Sequence, residues 1–138
     1  MKAKDISKLI YKIKIVEQKF KRNFEAKFGV SLTRYEILQV ISEKNELAQG
    51  ELQEYLQIDQ AAITRHLKIL EEKNYVKRIR NPKNNREIFV SLTDKAKTEM
   101  KEYDKNCPKM EEFFGNKFTK DDAEYLLMLL EKFEKNIE

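Results

Sequence analysis

A mainly helical fold carrying one small β-hairpin is what this 138-residue sequence predicts. Three observations predict it. Chain breakers are scarce, three Gly and two Pro, which argues against folds built from many tight turns and against Gly-rich phosphate loops. Apolar residues recur at steps of three and four through most of the chain, the period of a helix with one buried face. One stretch, Tyr75 to Leu92, carries strand patterning instead. The length fits one ordinary domain, read as 1–138.

The first element is a long amphipathic helix from Asp5 to Phe28. Its stripe is Ile6, Leu9, Ile10, Ile13, Val16, Phe20, Phe24 and Phe28, and Gly29 supplies the stop. Thr33 with Glu36 three residues on has the spacing of a capping box, so a second helix starts there and carries Ile37, Leu38 and Ile41 to about Glu43. Leu47-Ala48 forms a brief strand. Gln49 to Leu56 reads as two helical turns with Leu52, Tyr55 and Leu56 inward. Asp59 is a good N-cap for a helix over Gln60 to Lys73, whose inward face is Ile63, Leu67 and Leu70. Asn74 takes the left-handed conformation that ends it.

Tyr75 to Arg80 alternates apolar and basic residues, Asn81 to Asn85 is a turn cluster, and Arg86 to Leu92 is a β-branched and aromatic return strand. Thr93 or Asp94 caps a helix towards Phe114, with a kink or break near Asn106-Cys107 imposed by Pro108. Thr119 and Asp122 open a last helix. Its stripe is Ala123, Leu126, Leu127, Leu130, Phe133 and Ile137, widened by Met128 and Leu129.

Net charge is only +4, but it is unevenly spread. Residues 1–30 carry nine Lys/Arg against three acids, and residues 31–59 two against six. Residues 60–86 carry eight against two, and residues 87–138 nine against thirteen. No apolar run reaches the roughly 18–20 residues of a membrane span, and Met1 to Asp5 lacks a secretory signal core. A lone Cys107 closes no internal disulfide, and a lone His66 anchors no usual zinc site. A reduced, cytoplasmic protein without membrane partner, metal or cofactor is expected. No catalytic residues are expected either: there is no Cys–His or Ser–His–Asp set, and the acid pairs Glu71-Glu72 and Asp121-Asp122 occupy adjacent helix positions that do not converge.

Helix, helix, hairpin between residues 49 and 92 is the order of a winged helix-turn-helix, in which the second helix enters the major groove. Outward positions of that helix are Gln60, Ala61, Thr64, Arg65 and Lys68, and residues 60–70 contain no acid. Gln pairs bidentately with adenine and Arg with guanine, while Ala61 and Ala62 leave room for close approach and for a thymine methyl. Lys77, Arg78, Arg80, Lys83 and Arg86 cluster on the hairpin, where phosphate contacts supply salt-dependent affinity. Basic edge strands also serve simply to block aggregation, but the acid-free helix beside this one favours nucleic acid. The expected DNA-binding set is Gln60, Ala61, Ala62, Thr64, Arg65, Lys68, Arg80, Lys83 and Arg86.

The segment from Ala62-Ile63-Thr64-Arg65 through Leu67, Leu70 and Glu71 to Asn74-Tyr75-Val76-Lys77-Arg78 resembles the recognition-helix segment of MarR-family transcriptional regulators. The hairpin from Arg80-Asn81-Pro82 to Asn85-Arg86, ending in Leu92-Thr93, is similar to the family's wing, and Leu32-Thr33 to the start of its second helix. Three positions depart from the pattern. Asn74 and Ala96 stand where Gly is usual, and Asn85 replaces the wing Asp that braces the following Arg, so Arg86 is expected to be held less rigidly. The resemblance implies a regulator, most often a repressor, that binds a pseudo-palindromic double-stranded operator as a homodimer. Residues 31–93 would form the DNA-binding region, and residues 1–30 and 94–138 the dimerisation region. The stripes of 6–28 and 123–137 are themselves longer than a small winged domain can cover, which independently calls for a partner. Some members release DNA on binding a small aromatic or lipophilic effector, a role for which Tyr11, Phe20, Phe24, Tyr35 and Phe113 are the candidates, although aromatics at helical spacing are also ordinary core. Other members sense oxidants through a cysteine near the N-terminus, whereas Cys107 falls in the penultimate helix, so no redox role is expected of it. The alternative reading is a homodimeric helical adaptor that meets an acidic protein and binds no particular DNA sequence.

Overall fold

Side-chain caps at Ser31, Asp59, Thr93 and Thr119 set where the helices that follow them begin in the computed structural model, which describes residues 1–137, the side chain of Asn85 excepted. Met1–Lys105 forms one compact unit, and the chain from Asn106 onward a second.

In the first unit, α1 (Ala3–Phe28) ends where Gly29 turns left-handed at φ 72° and donates its N–H to the Glu25 carbonyl at 2.8 Å. Only glycine makes that turn without a Cβ penalty. α2 (Leu32–Lys44) starts earlier than expected, because the Ser31 hydroxyl accepts from the Arg34 N–H at 3.3 Å. The Thr33–Glu36 capping box is therefore corrected: two cap-forming residues stand two apart, and the first one starts the helix. β1 (Glu46–Ala48) follows, then α3 (Glu51–Leu56), which begins two residues later than expected because the Gln49 N–H donates to the Ile88 carbonyl at 2.7 Å. α4 (Gln60–Glu72) is capped by Asp59, whose carboxylate accepts from Ala62 N at 2.7 Å. Asn74 is left-handed at φ 64°.

β2 (Val76–Asn81) and β3 (Asn84–Leu92) form the hairpin, with Arg78 opposite Val90 and an irregularity at Arg80/Asn81. β1 joins the other edge of β3, Leu47 opposite Val90, so the sheet order is β1-β3-β2. The loop is tighter than the turn cluster suggests, since only Pro82 and Lys83 separate the strands. Asn81 closes it by accepting from Lys83 N at 3.0 Å, and Asn84 accepts from Arg86 N at 3.1 Å. Of the two cap candidates for α5 (Asp94–Lys105), Thr93 serves: its hydroxyl accepts from Ala96 N at 3.1 Å and donates to the Asn74 carbonyl at 2.7 Å.

Among the described residues, the buried side chains lie between residues 37 and 100: Ile37, Leu38, Ile41, Leu52, Ile63, Leu67, Leu70 and Val90 at the centre, ringed by Leu47, Val76, Leu92, Ala96 and Met100. Tyr55, expected inward, is exposed with the Lys44 ammonium 5.1 Å from its ring centre. A six-residue helix has one inward stripe, and Leu52 and Leu56 fill it. α1 contributes no fully buried residue, and Ile6, Leu9, Ile10, Ile13 and Val16 stand exposed along it.

In the second unit, α6 (Met110–Phe114) is separate from α5, the interruption falling at Pro108 as proline chemistry requires. α7 (Lys120–Asn136) carries the reciprocal Thr119–Asp122 cap, at 3.1 and 3.0 Å. Leu126, Leu127, Leu130, Phe133 and Ile137 are exposed on and just beyond it.

Candidate nucleic-acid interface

Asp59 fixes the start of α4 and thereby the direction in which each side chain of its first two turns leaves the helix. Gln60, Ala61, Thr64, Arg65 and Lys68 are exposed, while Ile63, Leu67 and Leu70 face the core. Ala62 is half-buried and so stands at the margin of that face. The five exposed residues present one cationic, hydrogen-bonding surface; the acids of α4 itself, Glu71 and Glu72, sit at its far end, while the carboxylate of the N-cap Asp59 is engaged by Ala62 N.

The wing contributes Arg80, Lys83 and Arg86, all exposed. Gln60 and Arg86 line one cavity of about 410 Å³, together with Gln49, Gly50, Glu51, Asn84 and Glu87. The start of α4 and the base of the hairpin therefore border the same space. The brace expected to weaken at Asn85 lies outside the described residues; Arg86 is held through its own N–H on Asn84.

Arg78 behaves differently from its neighbours. Its guanidinium forms a fork with Glu71, Nε to Oε2 at 3.2 Å and Nη2 to Oε1 at 2.9 Å, linking β2 to the end of α4. The hydrogen bond from Arg78 holds the Glu71 carboxyl below its ordinary pKa. Its charge is committed within the protein.

Two residues on this face had no signal in the sequence. Arg34, half-buried at the start of α2, lies close enough to α4 for its charge to act on His66. Burial, then Arg34, then Arg65 lower the His66 pKa from 6.5, so the imidazole is neutral at pH 7. Arg34 Nε and His66 Nδ1 are both buried without a hydrogen-bond partner. Gln49 is the second, only 8% exposed. Its side-chain amide donates to Thr64 Oγ1 at 3.3 Å, and that hydroxyl donates to the Gln60 carbonyl at 2.9 Å.

The aromatic candidates separate into three places. Phe24 and Tyr35 meet at 5.4 Å between ring centres. Phe28 and Tyr103, not among the candidates, join them: Phe28 lies 4.5 Å from Phe24 and 6.2 Å from Tyr103, and Tyr103 5.8 Å from Tyr35. Phe20 is half-buried one turn before Phe24. Tyr11 is remote from this cluster, thirteen residues before Phe24 on one helix, or about 20 Å at 1.5 Å per residue. Its ring is exposed beneath the Lys14 ammonium at 5.4 Å. Phe113 belongs to the second unit and packs on Phe114 at 4.9 Å.

Comparison with known proteins is consistent across sequence and fold. The MarR family model matches residues 30–88. An HTH-type transcriptional regulator of Bacillus subtilis, YdgJ, described as uncharacterized, is 33% identical over 132 residues, which span 95% of this chain and 80% of that protein. A mutant of MarR from E. coli, solved in complex with operator DNA, superposes with a TM-score of 0.83 at 26% identity, covering 94% of this chain and 95% of that one. A MarR-like regulator from Bacillus cereus shares the fold, with a TM-score of 0.80 at 23% identity over 99% of this chain and all of the other.

Proposed function

This chain belongs to the MarR family of transcriptional regulators, and from that membership we propose that it binds a pseudo-palindromic double-stranded operator as a homodimer, acting as a repressor. The observation that carries the reading is the cavity shared by Gln60 and Arg86. A helix without acids from Gln60 to Leu70 and a cationic wing that border one space meet one duplex together, the helix in the major groove and the wing along the backbone.

Roles follow from placement. Gln60 and Arg65 offer base-edge hydrogen bonds, and Ala61, Ala62 and the Thr64 methyl offer close apolar approach. Lys68, Arg80, Lys83 and Arg86 neutralise phosphates. Residues 31–93 form the DNA-binding region. The exposed stripes of α1 and α7, within 1–30 and 94–138, form the dimer contact, since exposed apolar stripes of that length call for a partner. A twofold dimer sets two reading helices about 34 Å apart, one turn of duplex. The half-buried rings of Phe24, Phe28, Tyr35 and Tyr103 favour a second element of the reading, release of DNA by a small aromatic or lipophilic ligand held against them.

The test is selection of bound duplexes from a random pool, followed by footprinting. A palindromic consensus with half-sites about 10 base pairs apart is expected. Enrichment of no sequence, with binding instead to an acidic protein surface, would replace this reading by that of an adaptor.

A further inference from the structure

We infer that Gln49, which is buried beside the reading face, sets the chemistry by which Thr64 reads a base. The inference rests on the DNA-binding reading above.

A threonine hydroxyl has one hydrogen and two lone pairs. The Gln60 carbonyl can only accept, so the 2.9 Å contact consumes the Thr64 hydrogen. Towards Gln49 the hydroxyl has only a lone pair left, so at 3.3 Å the glutamine must present its NH₂ group. That choice leaves Gln49 Oε1 buried with no partner, an arrangement that costs stability and that an apolar side chain of similar size would avoid.

The outcome is a polarised reader. Thr64 is exposed on the reading face, but its hydrogen points back into the helix. What it offers a base is its methyl and the remaining lone pair. Those groups suit the amino groups of adenine or cytosine and the methyl of thymine, and they disfavour the acceptor-only major-groove edge of guanine. Gln49 reinforces this orientation, because an amide donor at the hydroxyl oxygen polarises the O–H and strengthens its hydrogen bond to the Gln60 carbonyl. Its backbone N–H on the Ile88 carbonyl anchors it to β3 at 2.7 Å, so the wing strand and the reading helix share one internal brace.

The test uses the full-length protein, the duplex that it enriches from a random pool, and copies of that duplex with each base pair changed in turn. Gln49→Leu removes both the donor and the orphaned acceptor. It is expected to keep or raise the melting temperature while relaxing preference at one base pair per half-site by about tenfold, most visibly by admitting guanine. Thr64→Val is expected to relax the same base pair, and the double variant to relax it no further. Thr64→Ser retains the hydroxyl and the exclusion of guanine, and loses the thymine-methyl preference. Affinity for a shuffled duplex and its salt dependence stay as in the wild type for Gln49→Leu. The inference is overturned if Gln49→Leu, folded and binding, keeps the wild-type base preference while Thr64→Val alters it, or if the two substitutions act additively. Failure of the DNA reading itself looks different: the wild-type protein would then prefer no duplex at all.

Discussion

Replacing Arg65 by alanine separates folding from reading. Arg65 is exposed on the second turn of α4 and has no hydrogen bond or ion pair among the described residues. Alanine is the best helix former, so the substitution leaves stability within about 0.5 kcal/mol. All of its effect must therefore appear against DNA. A guanidinium that bonds the O6 and N7 of guanine contributes about 1–3 kcal/mol of discrimination, which is about 5- to 150-fold in affinity per half-site. A dimer carries the substitution twice, and both half-sites weaken. Fluorescence anisotropy on the enriched duplex, and on copies with one base pair changed, measures it. Arg65→Ala should lose the selected duplex while affinity for shuffled DNA changes little, and preference should flatten at one position in each half-site. Unchanged affinity for the selected duplex in a folded Arg65→Ala protein would refute the assignment of α4 as the reading helix.

Glu71→Gln breaks the fork with Arg78; because both side chains are partly exposed, the loss is at most about 1 kcal/mol in chemical denaturation, and Arg78→Ala should reduce operator affinity less than Lys83→Ala. Thermal denaturation should show His66 as a pH-dependent weakness: its folded pKa lies below the ordinary 6.5, so the unfolded chain binds the proton first and stability falls as pH drops through about 6.5 towards the folded value. His66→Gln should remove that part of the slope. In an absorbance titration, one phenol should ionise well above the ordinary value of 10.0, because its hydrogen bond to Glu99, with burial, pushes Tyr75 up to about 12; Tyr75→Phe removes that step. Ile10→Lys, at an exposed position of the α1 stripe, should shift sedimentation from dimer towards monomer without melting the winged core.

Apolar spacing alone made the winged core legible. Ile63, Leu67 and Leu70 lie at helical steps and are buried, and Asp59, Asn74 and Thr119 take the capping roles their side-chain chemistry favours. The errors came where two residues compete for one role. Ser31 displaced Thr33 as a cap, and Tyr55 lost the inward face of α3 to Leu56. The acid-free face of α4 was likewise readable from composition. What remained hidden depended on contacts between distant segments. Gln49 and Thr64 are fifteen residues apart, Glu71 and Arg78 belong to different elements, and no periodicity relates Arg34 to His66. A sequence shows which residues carry charge, but the fold decides which charges are already spent.

That distinction sets the salt dependence of binding. Of the basic residues on the proposed face, Arg78 is paired with Glu71 and carries no net charge to the duplex. Lys68, Lys83 and Arg86 are exposed, and their side chains have no ion pair or hydrogen bond among the described residues. With Arg80, the phosphate contacts proposed above number four from each protomer, about eight for the dimer, and give a log–log slope of about −7 against salt. Between 50 and 200 mM salt, affinity should then fall roughly ten-thousandfold. Lys83→Ala removes one contact from each protomer, so the slope should become shallower by about 2 and the loss should be the same on selected and shuffled duplexes. Arg78→Ala should leave the slope where it is. A slope that flattens for Arg78→Ala and not for Lys83→Ala would mean that the fork with Glu71 opens on DNA and that the wing tip points away from the backbone.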